Sequence, residues 1–369
     1  MIEYRICSRC IMDTTDPDIV FDADGVCSNC HRYDEISRAR LIPMDERPAR
    51  LRQLVDEIKR KGKKKKYDCI IGVSGGVDST YVAYLVKELG LRPLAVHFDN
   101  GWNSELAVSN IEKILKKLDI DLYTHVVDWE EFKDLQVSFL RASTPDAEVP
   151  TDHAINALLF KTASKFGVSY IINGQNLSTE SILPVKWGYG YYDATYVKDV
   201  HKKFGKVPLK TTPLMGLAEL FYYMQVKKIR LLQILNYVDY NKAQVMELLK
   251  EKLGWTYYGG KHYESIYTRF FQAYILPRKF NIDKRKAHLS SLIHSGQITR
   301  AEALEELKQD VAPADVLQQD KEYVIKKLGF TDSEFENIMK QPCKTFLDYK
   351  TQYRVLEKAK QYRKYFKFG

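Results

Sequence analysis

The sequence predicts an α/β protein: a doubly wound parallel sheet, preceded by a zinc ribbon and followed by a helical part. Three observations carry this reading. Between residues 67 and 174, short apolar runs alternate with amphipathic helical stretches, as expected for strands covered on both faces by helices. A glycine-rich loop joins the first of these runs to the first of these helices. Four of the six cysteines fall in the first 30 residues as two CxxC pairs.

A chain of 369 residues exceeds one ordinary core, so two or three units are expected. The composition, 45 % hydrophobic and 28 % charged, is that of a globular protein. No apolar stretch approaches the roughly 18 residues of a membrane span. The opening MIEYRICSRC lacks an apolar signal core, which makes a cytoplasmic protein the expectation. The net charge of +9 raises a nucleic-acid reading, but residues 59–66 alone hold seven basic side chains. Such a run reads as a solvated linker or helix end, or else as a patch for an anionic surface.

Residues 1–45 are turn-rich and carry the CxxC pairs. Sixteen residues separate Cys10 from Cys27, so Cys7, Cys10, Cys27 and Cys30 have zinc-ribbon spacing. About 40 residues bury too little core to fold alone, so Zn²⁺ is the expected staple. Asp22-Ala23-Asp24-Gly25 supplies a turn before the second pair. Residues 46–66 predict a basic linker helix with Leu51, Leu54, Val55 and Ile58 on one face. Strands are expected at 69–73, 92–98, 121–127 and 168–174. Helices are expected at 80–90, 109–119 and 152–167, the first and last ending at glycines. Beyond residue 200 helical runs dominate, at 214–237, 241–254 and most of 299–369. The boundaries drawn are a sheet unit over 67–213 and a helical unit over 214–369.

Ser74-Gly75-Gly76-Val77-Asp78-Ser79 lies between the first strand and the first helix. Two glycines let backbone N–H groups approach phosphate oxygens, and the helix N-terminus points its positive end there. Ser74, Ser79 and Thr80 add hydroxyls. Asp78 is placed to hold Mg²⁺ or to cap the helix.

SGGVDS in this context resembles the signature of the PP-loop ATP pyrophosphatases. The resemblance implies ATP cleaved between its α and β phosphates, and the absence of a Walker lysine speaks against γ-phosphate transfer. It further implies adenine held at the end of the second strand, with Val73, His97 and Phe98 flanking the base and Asp99 beside them. Gly174 and Glu180, in the loop after the fourth strand, are expected at phosphate and metal. The chain as a whole is similar to the N-acetyl sugar amidotransferases of bacterial surface-polysaccharide (LPS O-antigen) synthesis. That similarity rests on the ribbon, SGGVDS, INGQN, YYGGKHYES and LPRKFNIDKRKAHLSSLI.

The family reaction turns the acetamido group of a nucleotide-activated N-acetyl sugar into an acetamidino group through O-adenylation and attack by ammonia. Ser74, Asp78 and Lys261 are the candidates nearest that chemistry. Lys186, Trp187, Tyr191, His262 and Arg269 are the candidates for substrate contact. Tyr189, Tyr192, Lys198, Arg285 and Lys286 belong to the same aromatic and basic segments. A cysteine glutaminase would need an N-terminal cysteine, where Ile2 stands, or a cysteine on a nucleophile elbow. Ammonia is therefore expected from a separate glutaminase, similar to the glutaminase and cyclase pair of histidine biosynthesis. Neither a membrane nor a nucleic acid is an expected partner. The rival readings are a tRNA-modifying PP-loop enzyme and a non-enzymatic ATP-binding scaffold.

Overall fold

The computed structural model describes residues 3–260 and 263–358. Five parallel strands form one sheet in the order β3-β2-β1-β4-β5, with β1 Cys69–Gly72, β2 Pro93–Asp99, β3 Asp121–Val126, β4 Tyr170–Asn173 and β5 Arg230–Gln233. β1 is central because its side chains are apolar on both faces. Ile70 packs with Leu94, Val96 and Phe98 under helix Val149–Lys165. Ile71 and Val73 pack on the opposite face, under helices Val77–Glu88, Glu105–Leu118 and Lys242–Leu253. Truncating Ile71 to alanine would cost about 2–5 kcal/mol. Ile70 is level with Leu94 on one side and Ile171 on the other. The chain winds one way from β1 to β2 and the other way to β4, so a crevice opens at the carboxyl ends of these strands.

The four expected strands are present. The run expected to be helical over 214–237 is not one helix. It holds short helix Leu217–Phe221, a π-helical turn Tyr222–Val226, strand β5 and a 3₁₀ turn Ile234–Tyr237. Lys228 adopts a left-handed φ of 56°, which ends the helical run. The next residues then pair with β4, Tyr170 level with Arg230 and Asn173 level with Gln233. The sheet therefore continues past residue 213, and helix Lys242–Leu253 packs on it as well.

The first residues make two isolated antiparallel bridges, Ile6 with Asp13 and Phe21 with Cys27, followed by helix Ser28–Arg40. The turn before the second cysteine pair forms as expected: Gly25 has φ 78° and donates its N–H to the Asp22 carbonyl at 3.1 Å. The ribbon rests on the C-terminal helices. Ile11 packs against Leu289 and Ala303. Arg300 donates to the carbonyls of Cys10 (3.0 Å) and Cys7 (2.9 Å), and Tyr33 stacks on His294 at 4.4 Å. The linker helix runs Arg47–Gly62. The basic run is pinned to the sheet unit: Lys61, in the helix, donates to the Tyr170 hydroxyl at 3.1 Å, and beyond the helix Lys65 bonds the Gly167 carbonyl and Lys66 pairs with Asp121 at 3.0 Å. Among the described residues no helix is long and apolar enough to cross a membrane.

Candidate nucleotide site and metal centre

The helix after β1 begins at Val77, three residues before the expected start, so the SGGVDS segment itself forms its first turn, with Gly76 as N-cap. Gly75 holds φ 79°, and a Cβ there would lie 2.6 Å from the Ala107 carbonyl oxygen. Only glycine satisfies both demands. The Ser79 hydroxyl lies 3.1 Å from that of Ser74 and accepts the Ser74 N–H at 3.2 Å. The Ser74 hydroxyl in turn accepts the Gly76 N–H at 3.3 Å. Ser74 is exposed, whereas Val77 and Thr80 are buried behind the loop. A Cβ on Gly174 would meet Asp78 Cβ at 2.9 Å, so the loop after β4 abuts the phosphate loop directly.

Groups distant in sequence complete the wall. The Trp255 indole N–H donates to the Gly75 carbonyl at 3.0 Å. Tyr240 donates its hydroxyl to the Asp78 carboxylate. Burial, then the charges of Asp78 and Glu180, push the Tyr240 phenol well above its usual range. Burial followed by the charge of Glu264 does the same to Tyr258, whose hydroxyl lies 3.4 Å from where a Cβ on Gly76 would stand. Residues 264–266 pair with the loop after β2. Ser104 N–H donates to the Glu264 carbonyl and Ile266 N–H to the Trp102 carbonyl, both at 2.9 Å, with Asn103 bridging Ser265. Nothing local to SGGVDS signals Tyr240 or Trp255, whereas Tyr258 and Glu264 lie in the YYGGKHYES segment that the sequence singles out.

At the end of β2, Asn103 donates to His97 Nε2 at 3.1 Å. The ring proton is then on Nδ1 and goes to the Val73 carbonyl at 2.9 Å. Asp99 caps the turn by accepting the Gly101 N–H at 2.9 Å. The side chains of Val73 and Phe98 do not share one surface, so both could meet one base only through backbone. They belong to cores on opposite faces of the sheet, and Phe98 packs edge-on against Phe132 at 5.7 Å.

A mixed charged network lies along the same edge of the sheet, where Asn100 donates to Thr151 at 3.1 Å. Asp146 accepts from the Tyr191 hydroxyl at 2.8 Å, Glu148 accepts from Gln272 at 2.9 Å, and Lys284 lies 3.7 Å from Glu148. Burial raises Asp146 to about 6. Burial and the charges of Glu148 and Asp146 raise Asp152 to about 8. Burial opposes the charge of Lys284, but these three carboxylates more than offset it and hold the ammonium above its usual range. Tyr191 thus stands beside a cluster of ionisable groups, and burial with the charge of Asp152 also raises the phenol of Tyr192, whose hydroxyl donates to Asn156 at 3.1 Å.

The other substrate candidates are committed elsewhere. Trp187 is 1 % exposed inside the core shared with the ribbon, so it presents no face for stacking. Lys186 pairs with Asp18 of the ribbon at 2.6 Å. Arg269 forms a two-pronged pair with Asp320 at 2.7 Å on both arms. Arg285 is held by Asp283 and the Gln309 carbonyl, and Lys286 by Asp13. Lys261 and His262 lie outside the described residues.

The four ribbon thiols converge. Cys7–Cys30 and Cys10–Cys27 are 3.7 Å apart and Cys27–Cys30 3.6 Å, and all four sulfurs lie within 4.8 Å of one another. A tetrahedron of about 2.3 Å Zn–S bonds has edges near 3.8 Å, so the cluster fits Zn²⁺. All four cysteines are buried, which suits a closed structural site.

Two family models match parts of the chain: Queuosine biosynthesis protein QueC over residues 68–167, and LPS biosynthesis protein WbpG-like, C-terminal domain, over residues 264–365. Each match covers less than half of the chain, so the sheet unit is similar to QueC and the C-terminal part to the WbpG-like domain. Curated relatives include an uncharacterized protein of Methanocaldococcus jannaschii, 27 % identical over 46 % of this chain and 59 % of that protein. A tRNA-specific 2-thiouridylase of Clostridium botulinum is 28 % identical over 30 % of this chain. The chain spans 34 % of that enzyme's length. Among solved structures, the NMN synthetase of Francisella tularensis aligns with 54 % of this chain and 75 % of its own, at 16 % identity and a TM-score of 0.30.

Proposed function

We propose that this PP-loop chain is an AMP-forming, ATP-dependent amidotransferase that converts the acetamido group of a nucleotide-linked N-acetyl sugar into an acetamidino group. One observation carries the reading. The WbpG-like domain begins at Glu264, in the segment that pairs with the loop after β2 and stands beside the phosphate loop. The domain named for LPS biosynthesis therefore contributes to the wall of the nucleotide site.

The chemistry is consistent with these residues. An amide carbonyl is too poor an electrophile for ammonia. Attack of its oxygen on the α-phosphorus forms an O–P bond as pyrophosphate leaves. Ammonia then adds to the activated carbon, AMP departs with the oxygen, and a proton is lost. In this reading the loop N–H groups and the exposed Ser74 hydroxyl take the pyrophosphate oxygens. Mg²⁺ would be held by Asp78 with Glu180 nearby, and would neutralise charge developing on the phosphates. The network around Asp146, Asp152 and Tyr191 would face the sugar and the incoming nitrogen. Ammonia would come from a separate glutaminase.

The test is incubation with ATP, Mg²⁺, an ammonium salt and a panel of UDP-N-acetyl sugars. The expected products are AMP, pyrophosphate and a sugar with one O replaced by NH, read by mass spectrometry. ADP and phosphate as products would refute the reading. The second reading, a tRNA-modifying enzyme, is favoured by the QueC match and the thiouridylase relatives. Thiolation needs an accessible sulfur carrier at the phosphate loop; Cys69 is fully buried on β1 and burial pushes its thiol up, and the exposed Cys343 lies in the C-terminal part, where its thiol donates to the Lys279 carbonyl at 3.2 Å. Sulfur incorporation into unmodified tRNA would decide for it.

A further inference from the structure

The structure assigns to Tyr240 the role of positioning residue for the metal-binding carboxylate of the phosphate loop. The proposal rests on the nucleotide reading above and goes beyond it, because Tyr240 lies in a stretch that neither matched family model covers. Tyr240 is 4 % exposed, and its hydroxyl donates to Oδ1 of Asp78, the acid inside SGGVDS. The hydroxyl therefore sits on the carboxylate expected to face a divalent cation. A carboxylate offers about four lone-pair sites, so one oxygen can hold the phenol and the group still ligate a metal. A phenol held in this way restricts rotation of the carboxylate and fixes its plane.

Two anchors hold the phenol. Its ring packs on Tyr81, on the helix that follows the phosphate loop, at 5.8 Å. Gln297, in the C-terminal part, grips the backbone on either side. Its amide donates to the Tyr240 carbonyl at 3.3 Å and its carbonyl accepts the Lys242 N–H at 3.1 Å. The orientation of Asp78 is thus tied through Tyr240 to the seating of the C-terminal helices. Removing an outer partner of a metal ligand weakens metal binding by roughly 10–100-fold.

The test uses the full chain with α,β-methylene-ATP, which resists cleavage, and Mn²⁺ as the probe, followed by electron paramagnetic resonance. Tyr240→Phe keeps the ring on Tyr81 and removes only the hydroxyl. We expect its Mn²⁺ affinity to fall by about tenfold, with an unchanged thermal transition. Gln297→Ala, which leaves the phenol in place, should fall between it and the wild type. Asp78→Asn should be weaker than either. Wild-type affinity in Tyr240→Phe and Gln297→Ala alongside an impaired Asp78→Asn would overturn the positioning role and leave the nucleotide reading standing. Wild-type affinity in all three variants would overturn both.

Discussion

The cysteine ribbon and the phosphate loop are both shaped for ions, and they are held by different means. The ribbon converges four thiols in a segment with two isolated bridges and one helix, and rests on a neighbour through Ile11, Arg300 and Tyr33. The phosphate loop is anchored in a five-stranded sheet with an apolar core on each face, and its glycine-shaped backbone turn carries one exposed serine. A site made by side chains collapses when those side chains change. A site made by backbone survives most substitutions and is lost only where glycine or the one carboxylate is touched. The same contrast explains the basic residues: those that looked suited to phosphate are structural partners of Asp18, Asp320, Asp283 and Asp13.

The largest effect should come from the ribbon. The purified chain should carry about one zinc, and a Cys7→Ser, Cys27→Ser double variant should carry none. Structural zinc is worth about 10–16 kcal/mol in isolated finger peptides, so the variant's ribbon should unfold while the sheet unit keeps a separate transition. A metal-free variant with unaltered calorimetry would erase the contrast. Asp78→Asn should leave the fold intact and lower turnover on the order of a thousandfold, because a neutral amide holds Mg²⁺ poorly. Near-wild-type turnover at saturating Mg²⁺ would remove Asp78 from the site.

Arg269→Ala should do the reverse. Stranding the buried Asp320 should cost about 3 kcal/mol of stability, with the KM for ATP unchanged. A raised KM with normal stability would return Arg269 to the nucleotide. The smallest effect concerns Asp152, whose carboxyl is raised to about 8. It binds its proton more tightly folded than unfolded. Its contribution is therefore complete below the unfolded value near 4 and lost as pH rises through about 8. The Tm gain of Asp152→Asn should grow from pH 5 to pH 8 and level off above. A flat difference across that range would show that Asp152 titrates normally.

What was legible in the sequence follows from distance along the chain. Strands β1 to β4 stand out because buried parallel strands are continuous apolar runs, and SGGVDS because its parts are contiguous. β5 was missed because RLLQ is four residues at a sheet edge, behind a segment with helical spacing. Its start depends on the left-handed turn at Lys228, for which a lysine gives no signal. Tyr240 and Trp255 were missed because no local pattern links them to a loop more than 160 residues away. The misassigned cations show that Arg and Lys types do not reveal whether a carboxylate has already claimed them.

The bond from Trp255 to Gly75 spans 180 positions. At roughly 5–20 residues per second of synthesis, the loop emerges about 10–40 s before the indole that closes it. The newly made amino-terminal half therefore displays its glycine turn before the indole that bonds Gly75 exists. If the loop binds nucleotide as proposed, that affinity is a late event in the chain's biogenesis, and truncated chains would be poor consumers of ATP.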